Sequence, residues 1–371
     1  MRKENVQMRF DELQAGARIK LPFGSFIEKR IFIDTYGGKI HILDISNGTL
    51  TFSILFERGM DIGEIYLDSE KITWNRSKNY LLHPNHVSLY ENGGWEKGFY
   101  AAVAALGPEI FGTPDETRTA HGTGSYSQTD LHSIQISWDQ EQISIDGIVP
   151  IKGYGAEPIY EKSIQILTKF NSPLLIRKDV TRNLTGEKQV LDDGYHIQFS
   201  GEFVSKGGKY ILPVAKNKML LRDSAPAEEN PCDVYEFSST LDPIRCYQYV
   251  PEQVSGLEEV TELRAYPDYT KGNGEITAEM IVNTEKSVAA FVIRPLDCFP
   301  RSLIAKRAIT EPMYALEPCK TRPNSHRQKT IDGETIWLEP YAQASSWILL
   351  GAVRNIPSIS LLESLIEAAG K

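Results

Sequence analysis

The sequence has few cysteines, four in 371 residues. Cys232, Cys246, Cys298 and Cys319 form no CxxC and no His/Cys cluster at zinc-finger spacing. This argues against a structural zinc site and fits reduced thiols in a cytosol. There is no dense Lys/Arg stripe interleaved with aromatics, and the net charge is −9. Nucleic acid and anionic membrane surfaces are therefore poor partners, and a neutral small molecule suits the chain better. No uncharged apolar run is long enough to cross a bilayer, and the N-terminal MRKENVQMRFDELQAG has early positive charge without an apolar core. The expectation is a soluble, cytoplasmic protein with no membrane partner. The helix–strand alternation of a doubly wound α/β protein is also missing, as are low-complexity linkers and clear internal repeats.

What the sequence does contain is strands. At 371 residues, 41% hydrophobic and 24% charged, the chain can bury a large core. Segments such as RIFIDTYGGKIHILDISNGTLTFSILFERGMDIGEIYLD and YEKSIQILTKFNSPLLIRKDVTRNLTG alternate β-branched or aromatic residues with polar ones, broken by Gly-Gly, Asn-Gly and Asn-Ser-Pro. That is the pattern of antiparallel meanders. Only the tail, SISLLESLIEAAGK, has a helical period, with Leu361, Leu362, Leu365 and Ile366 on one face behind Ser358 or Ser360 as a cap. The expected fold is all-β: a large β-sandwich over residues 26–371 with a short C-terminal helix, preceded by an N-terminal extension over 1–25. The Pro- and Gly-rich stretch from His83 to Gly124 is long for a β connection, and long ordered loops often hold ligands.

Four positions stand out chemically. In DDGYHIQFS, alternation sends Tyr195, Ile197 and Phe199 to one side of a strand and His196, Gln198 and Ser200 to the other, so His196 faces water or a cleft in a fixed direction. Arg58, in FERGMDIG, sits where a strand ends in a glycine-kinked turn; it suits either a fork on two substrate hydroxyls or an ion pair with Glu57 or Asp61. His121, in TAHGTGSYS, precedes glycines that let the backbone approach a ligand. Glu317, in MYALEPCKTRP, shares a face with Met313 and Ala315, and a carboxylate so flanked is either paired or used. Two histidines and a carboxylate suit acid–base chemistry or a metal triad. No HxH or HxxxE spacing surrounds them, and His83 and His86 of HPNH are a loop pair, so no metal site is expected.

The order Arg, His, His, Glu, carried by FERGMDIG, AHGTG, YHIQFS and ALEPCKTRP, resembles the aldose 1-epimerase (galactose mutarotase-like) superfamily. It looks closest to an uncharacterised branch with RG(L/M)DIG and LEP segments, and the resemblance runs from about Phe26 to Val353. It implies a β-supersandwich that binds a monosaccharide or sugar derivative and needs no cofactor. By the same resemblance Glu317 is the general base on the anomeric hydroxyl, His196 the general acid on the ring oxygen, His121 the second histidine near that oxygen, and Arg58 the hydroxyl-binding arginine. Gln198, Arg322 and Lys306 are further candidate substrate contacts; the two cations lie near the LEP segment and could meet an acidic sugar, although structural ion pairing is the commoner role for such residues. The chain departs from the better-known mutarotases in having RTAHGTG, GYHIQFS and LEP where they carry Asn-His-x-His-Gly-Gly, His-Pro-Tyr-Phe-Asn and LET.

Three functions follow. The first is an isomerase of the aldose 1-epimerase type, interconverting sugar anomers by acid–base ring opening. The second is a carbohydrate-binding or regulatory protein that kept the cleft without the chemistry. The third is a metal-dependent sugar isomerase, which would bring His121, His196 and Glu317 to one ion. The chain is also a candidate homo-oligomer.

Overall fold

A computed structural model of the protein describes residues 5–74, 76–91, 94–152, 155–204, 207–222, 229–234, 244–271, 274–307 and 312–371. The expected all-β sandwich is found. Two large antiparallel sheets stack face to face, one of nine strands and one of twelve. The strands that carry or flank the candidate site residues are neighbours in the twelve-stranded sheet, in the order Leu220–Leu221, Arg245–Tyr249, Arg301–Arg307, Met313–Cys319, Gly194–Ser200, Val103–Leu106 and Asp61–Leu67. The start of the chain is woven into both sheets. Val6–Arg9 pairs with Gln135–Trp138 at one end of the nine-stranded sheet, and Arg18–Lys20 pairs with Phe26–Ile33 at one end of the other.

Apolar residues pack in three layers. The central one, between the sheets, takes Phe52, Ile62, Val103, Ile145, Ile164, Tyr195, Ile197 and Leu316. Fully burying such a side chain stabilises the fold by roughly 1.5–3 kcal/mol. A second layer lies on the far face of the twelve-stranded sheet, where Ala104, Leu106, Ala305, Met313 and Ala315 sit with Trp95, Phe99, Phe111 and Tyr126. The third lies on the far face of the nine-stranded sheet, with Phe291, Leu349 and the helix residues Ile359, Leu362 and Ile366.

The helical tail forms at Ile356–Ala369, a turn earlier than the serines suggested. Asn355 is its N-cap residue and Pro357 stands in the first turn, where its missing N–H costs nothing. Leu362 and Ile366 are buried as expected, while Leu361 and Leu365 only border the core.

Candidate functional site

The histidine strand Gly194–Ser200 and the glutamate strand Met313–Cys319 pair antiparallel, with Gly194 opposite Cys319 and Ile197 opposite Leu316. That register sets His196 opposite Glu317. Tyr195, Ile197, Tyr314 and Leu316 fill the central core, so both functional candidates project to the other face. There the His196 Nδ1 and Glu317 Oε1 atoms lie 3.2 Å apart. The contact lacks hydrogen-bond geometry: both imidazole nitrogens of His196, Glu317 Oε1 and His121 Nδ1 are buried without a hydrogen-bond partner.

His121 reaches the same place from the long loop. Its backbone is left-handed (φ 58°), and its N–H donates to Gly112 O at 3.0 Å while its carbonyl accepts from Gly107 N–H at 2.9 Å. The next residue, Gly122, has φ 71°, and a Cβ there would fall 2.7 Å from Glu109 Oε2, so the turn admits only glycine without rearrangement. The His121 and His196 rings meet edge to face at 5.0 Å. Trp95 stacks near both, at 4.7 Å and 5.9 Å, and Phe99 and Phe111 complete an aromatic enclosure.

A cavity of about 750 Å³, in the range of small-molecule sites, opens onto His121 and His196, while Glu317, 3% exposed, stands beside His196 outside the lining. Trp95, Phe99, Thr119, His121, His196, Ala305 and Met313 line it, with Glu91, Glu96, Asp115, Glu116, Arg118 and Arg307 as its charged members. The segment from His83 to Gly124 supplies most of that wall.

Burial sets the charges. It pushes the Glu317 carboxyl up to about 8, an effect that the Arg222 guanidinium partly opposes. It holds the His196 imidazole well below its usual range, with His121 adding to the effect. His121 is lowered to about 3 by burial, then by Lys329 and Arg222. The unliganded group is therefore neutral near pH 7, with the proton on the carboxyl rather than on an imidazole. This reverses the protonation that the unperturbed values suggest.

The other expected contacts lie elsewhere. Arg58 is 1% exposed; its Nε donates to Ser125 O at 2.8 Å and its Nη1 to Gly98 O at 2.6 Å, and the guanidinium lies 4.0 Å over the Tyr126 ring. It fastens the loop that carries His121 instead of lining the cavity, and neither Glu57 nor Asp61 forms an ion pair with it: Glu57 pairs with His41. Gln198 is fully buried, and its amide nitrogen donates to Ala101 O and Ala102 O at 2.8 and 2.7 Å. Lys306 points away from the cavity, because Ala305 takes the cavity face of the same strand; its Nζ donates to Asp233 O at 2.6 Å and pairs with Glu229 at 3.2 Å. Arg322 pairs with Glu334 at 2.8 Å and Asp332 at 3.4 Å on the surface.

Arg222 and Trp95 carried no signal in the sequence. Arg222 follows a two-residue edge strand, donates to Pro323 O at 3.2 Å and forms no ion pair among the described residues. Arg222 comes to the site from about a hundred residues away in the chain, and Trp95 meets both the nearby His121 and the distant His196. Among the described residues no group of three or more His, Cys, Asp or Glu side chains is arranged to hold a metal ion.

The two stacked sheets form a galactose mutarotase-like β-sandwich, a fold shared with several solved structures. A proposed aldose 1-epimerase from Klebsiella pneumoniae superimposes with a TM-score of 0.76 at 15% identity, over 99% of this chain and 92% of that one. A galactose mutarotase-like protein from Clostridium acetobutylicum gives 0.58 at 14% identity over 88% and 98%, and another from Lactobacillus casei gives 0.52 at 11% over 84% and 100%. No curated protein matches the sequence. Residues 38–350 match the family described as Domain of unknown function (DUF4432), and the chain belongs to that family.

Proposed function

We propose that the protein interconverts the anomers of a free sugar or sugar derivative, with Glu317 and His196 handling the protons and His121 beside them. The observation that carries this reading is the 3.2 Å approach of the buried Glu317 carboxyl to His196, which lines the cavity, with neither hydrogen-bonded elsewhere. The motif resemblance to aldose 1-epimerases and the similar folds support it.

Ring opening removes the proton from the anomeric O1–H and places one on the ring oxygen O5 as the C1–O5 bond breaks. Both oxygens are bonded to C1, so two adjacent groups can serve them together, His196 from the cavity wall and Glu317 from beside it. In the neutral pair the Glu317 carboxyl gives its proton to O5 and the His196 imidazole takes the O1 proton. After rotation about C1–C2 the imidazolium returns its proton to the carbonyl oxygen, O5 attacks the other face of C1, and the O5 proton goes back to Glu317. Atoms and charges balance, and no cofactor takes part.

The enclosure of both His196 nitrogens by Trp95 and Phe99 favours a second reading, a sugar-binding protein without turnover. NMR of anomer exchange across a panel of monosaccharides, with and without the protein, separates them. Accelerated exchange that falls by about 10²–10⁴-fold in Glu317→Gln, with binding retained, supports the epimerase. Binding with no acceleration for any sugar supports the second reading.

A further inference from the structure

A second cavity, of about 480 Å³, lies against the first. The two share Tyr90, Glu116, Arg118 and Thr119, and they are parted by the loop that carries His121. Consecutive residues of that loop face different sides: His121 lines the first cavity and Gly122 the second. The partition is thus a single backbone thick, and Thr119 and Arg118 present themselves to both sides. The second cavity holds none of the acid–base machinery. Its one buried carboxyl, Glu109, is held in place by the Thr123 hydroxyl and, at 3.2 Å, by the Thr123 N–H. Burial raises its pKa toward the neutral form. Besides the shared Tyr90, Glu116 and Arg118, the lining is Ile110, the half-buried Ile159 and Gln189, Tyr160, and the threonines. Gln189 donates its amide to Thr185 at 3.0 Å, which leaves its carbonyl oxygen to accept from a ligand. Away from the Glu116 and Arg118 it shares with the first cavity, apolar surface beside uncharged hydrogen-bonding groups suits a hydroxyl-rich, neutral ring.

We infer that the two cavities are adjoining subsites for a saccharide of two or more rings, the reducing-end ring beside His196 and Glu317 and the next ring across the 116–122 loop against Gln189, Ile159 and Tyr160. This rests on the proposed function for the role of the first cavity only. A monosaccharide fills one subsite; the second ring adds contacts without touching the reacting atoms, so it acts mainly on affinity.

The test uses ligands locked at C1, so that binding is measured apart from turnover. Methyl glycosides of glucose and galactose are compared by calorimetry with the methyl glycosides of their 1→3, 1→4 and 1→6-linked disaccharides. At least one disaccharide glycoside is expected to bind about ten- to a hundredfold more tightly than its monosaccharide counterpart. Ile159→Trp, which fills the second cavity, and Gln189→Ala, which removes its acceptor, are expected to abolish that advantage and leave monosaccharide affinity unchanged. Melting temperatures identify any variant that fails to fold, in which case the other decides. Disaccharide glycosides that bind no tighter, or an advantage that survives in both folded variants, overturns the inference. Absence of anomer exchange, with the disaccharide advantage present and lost in the variants, overturns the proposed function and supports the two-subsite arrangement.

Discussion

Tyr195 and His196 are neighbours in the chain, yet they join two differently built polar groups on opposite faces of one sheet. On the core side the Tyr195 hydroxyl donates to Asp179 at 2.8 Å, Arg177 pairs with Asp179 at 2.9 Å, and Lys162 pairs with Asp193 at 2.8 Å. Arg177 also donates to Met60 O at 2.6 Å. On the cavity side His196 and Glu317 are buried and His121 half-buried, yet both nitrogens of His196, Nδ1 of His121 and Oε1 of Glu317 have no hydrogen bonds. Buried polar groups that serve the fold are saturated, because an unmade hydrogen bond there costs about 1–3 kcal/mol. Groups left unsaturated beside a cavity keep their capacity for a substrate. Satisfaction separates these two groups, although it is no general rule of the molecule, since Arg58 Nη2 and Arg294 Nη1 are also buried without a partner.

The sharpest way to break the comparison is to unsaturate the scaffold. Asp179→Ala leaves Arg177 buried and unpaired and is expected to cost about 3–5 kcal/mol, read as a lowered midpoint in urea unfolding. If the loss is no larger than for an exposed pair, the core cluster is not what fixes the strand.

Neutralising the site should have the opposite sign. The folded Glu317 carboxyl titrates near 8 and the unfolded one near 4.5, so the unfolded chain loses its proton first as pH rises. Wild-type stability therefore falls between about pH 4.5 and 8 through this group, and Glu317→Gln escapes that fall. The variant should gain stability relative to wild type by a few kcal/mol across that window, while losing exchange. Paired urea melts at pH 5 and pH 8 measure it; a gap that stays constant would show that Glu317 is not held neutral.

A smaller effect concerns the pH profile. If exchange needs Glu317 protonated and His196 neutral, activity declines on the basic side near pH 8, and the limbs belong to the pair. Arg222 lowers Glu317, so Arg222→Ala should carry the basic limb to higher pH, read from kcat/KM. A limb that does not move would place Arg222 outside the site's field.

Smallest of all, Arg322→Ala removes only a half-exposed pair with Glu334 and should change stability by about 0–1 kcal/mol, with exchange unaltered.

Much of this could be read in advance, and the limits have a physical cause. Alternation in GYHIQFS and MYALEP sorted the two faces correctly, because Tyr195, Ile197, Tyr314 and Leu316 really do share the core. It could not say that the other face is covered as well. Every residue of both strands is buried, so polarity marks a cavity at His196, a backbone anchor at Gln198 and nothing more in between. Lys306 shows the converse: its strand gives no hint that a lysine points between the sheets while Ala305 borders the cavity, since the stabilising partners Glu229 and Asp233 lie over seventy residues away. Arg58 was equally opaque, because its hydrogen bonds run to carbonyl groups, which every residue has.

The opening residues of the chain act as a clasp. By running along the end of one sheet and then the end of the other, they shield backbone that would otherwise invite another molecule's strand. A chain begun at residue 26 would present Phe26–Ile33, with Ile31 and Ile33 already open to solvent, as a bare rim. Self-association, rather than loss of the cavity, is what such trimming should bring, and light scattering would register it before any change in sugar binding.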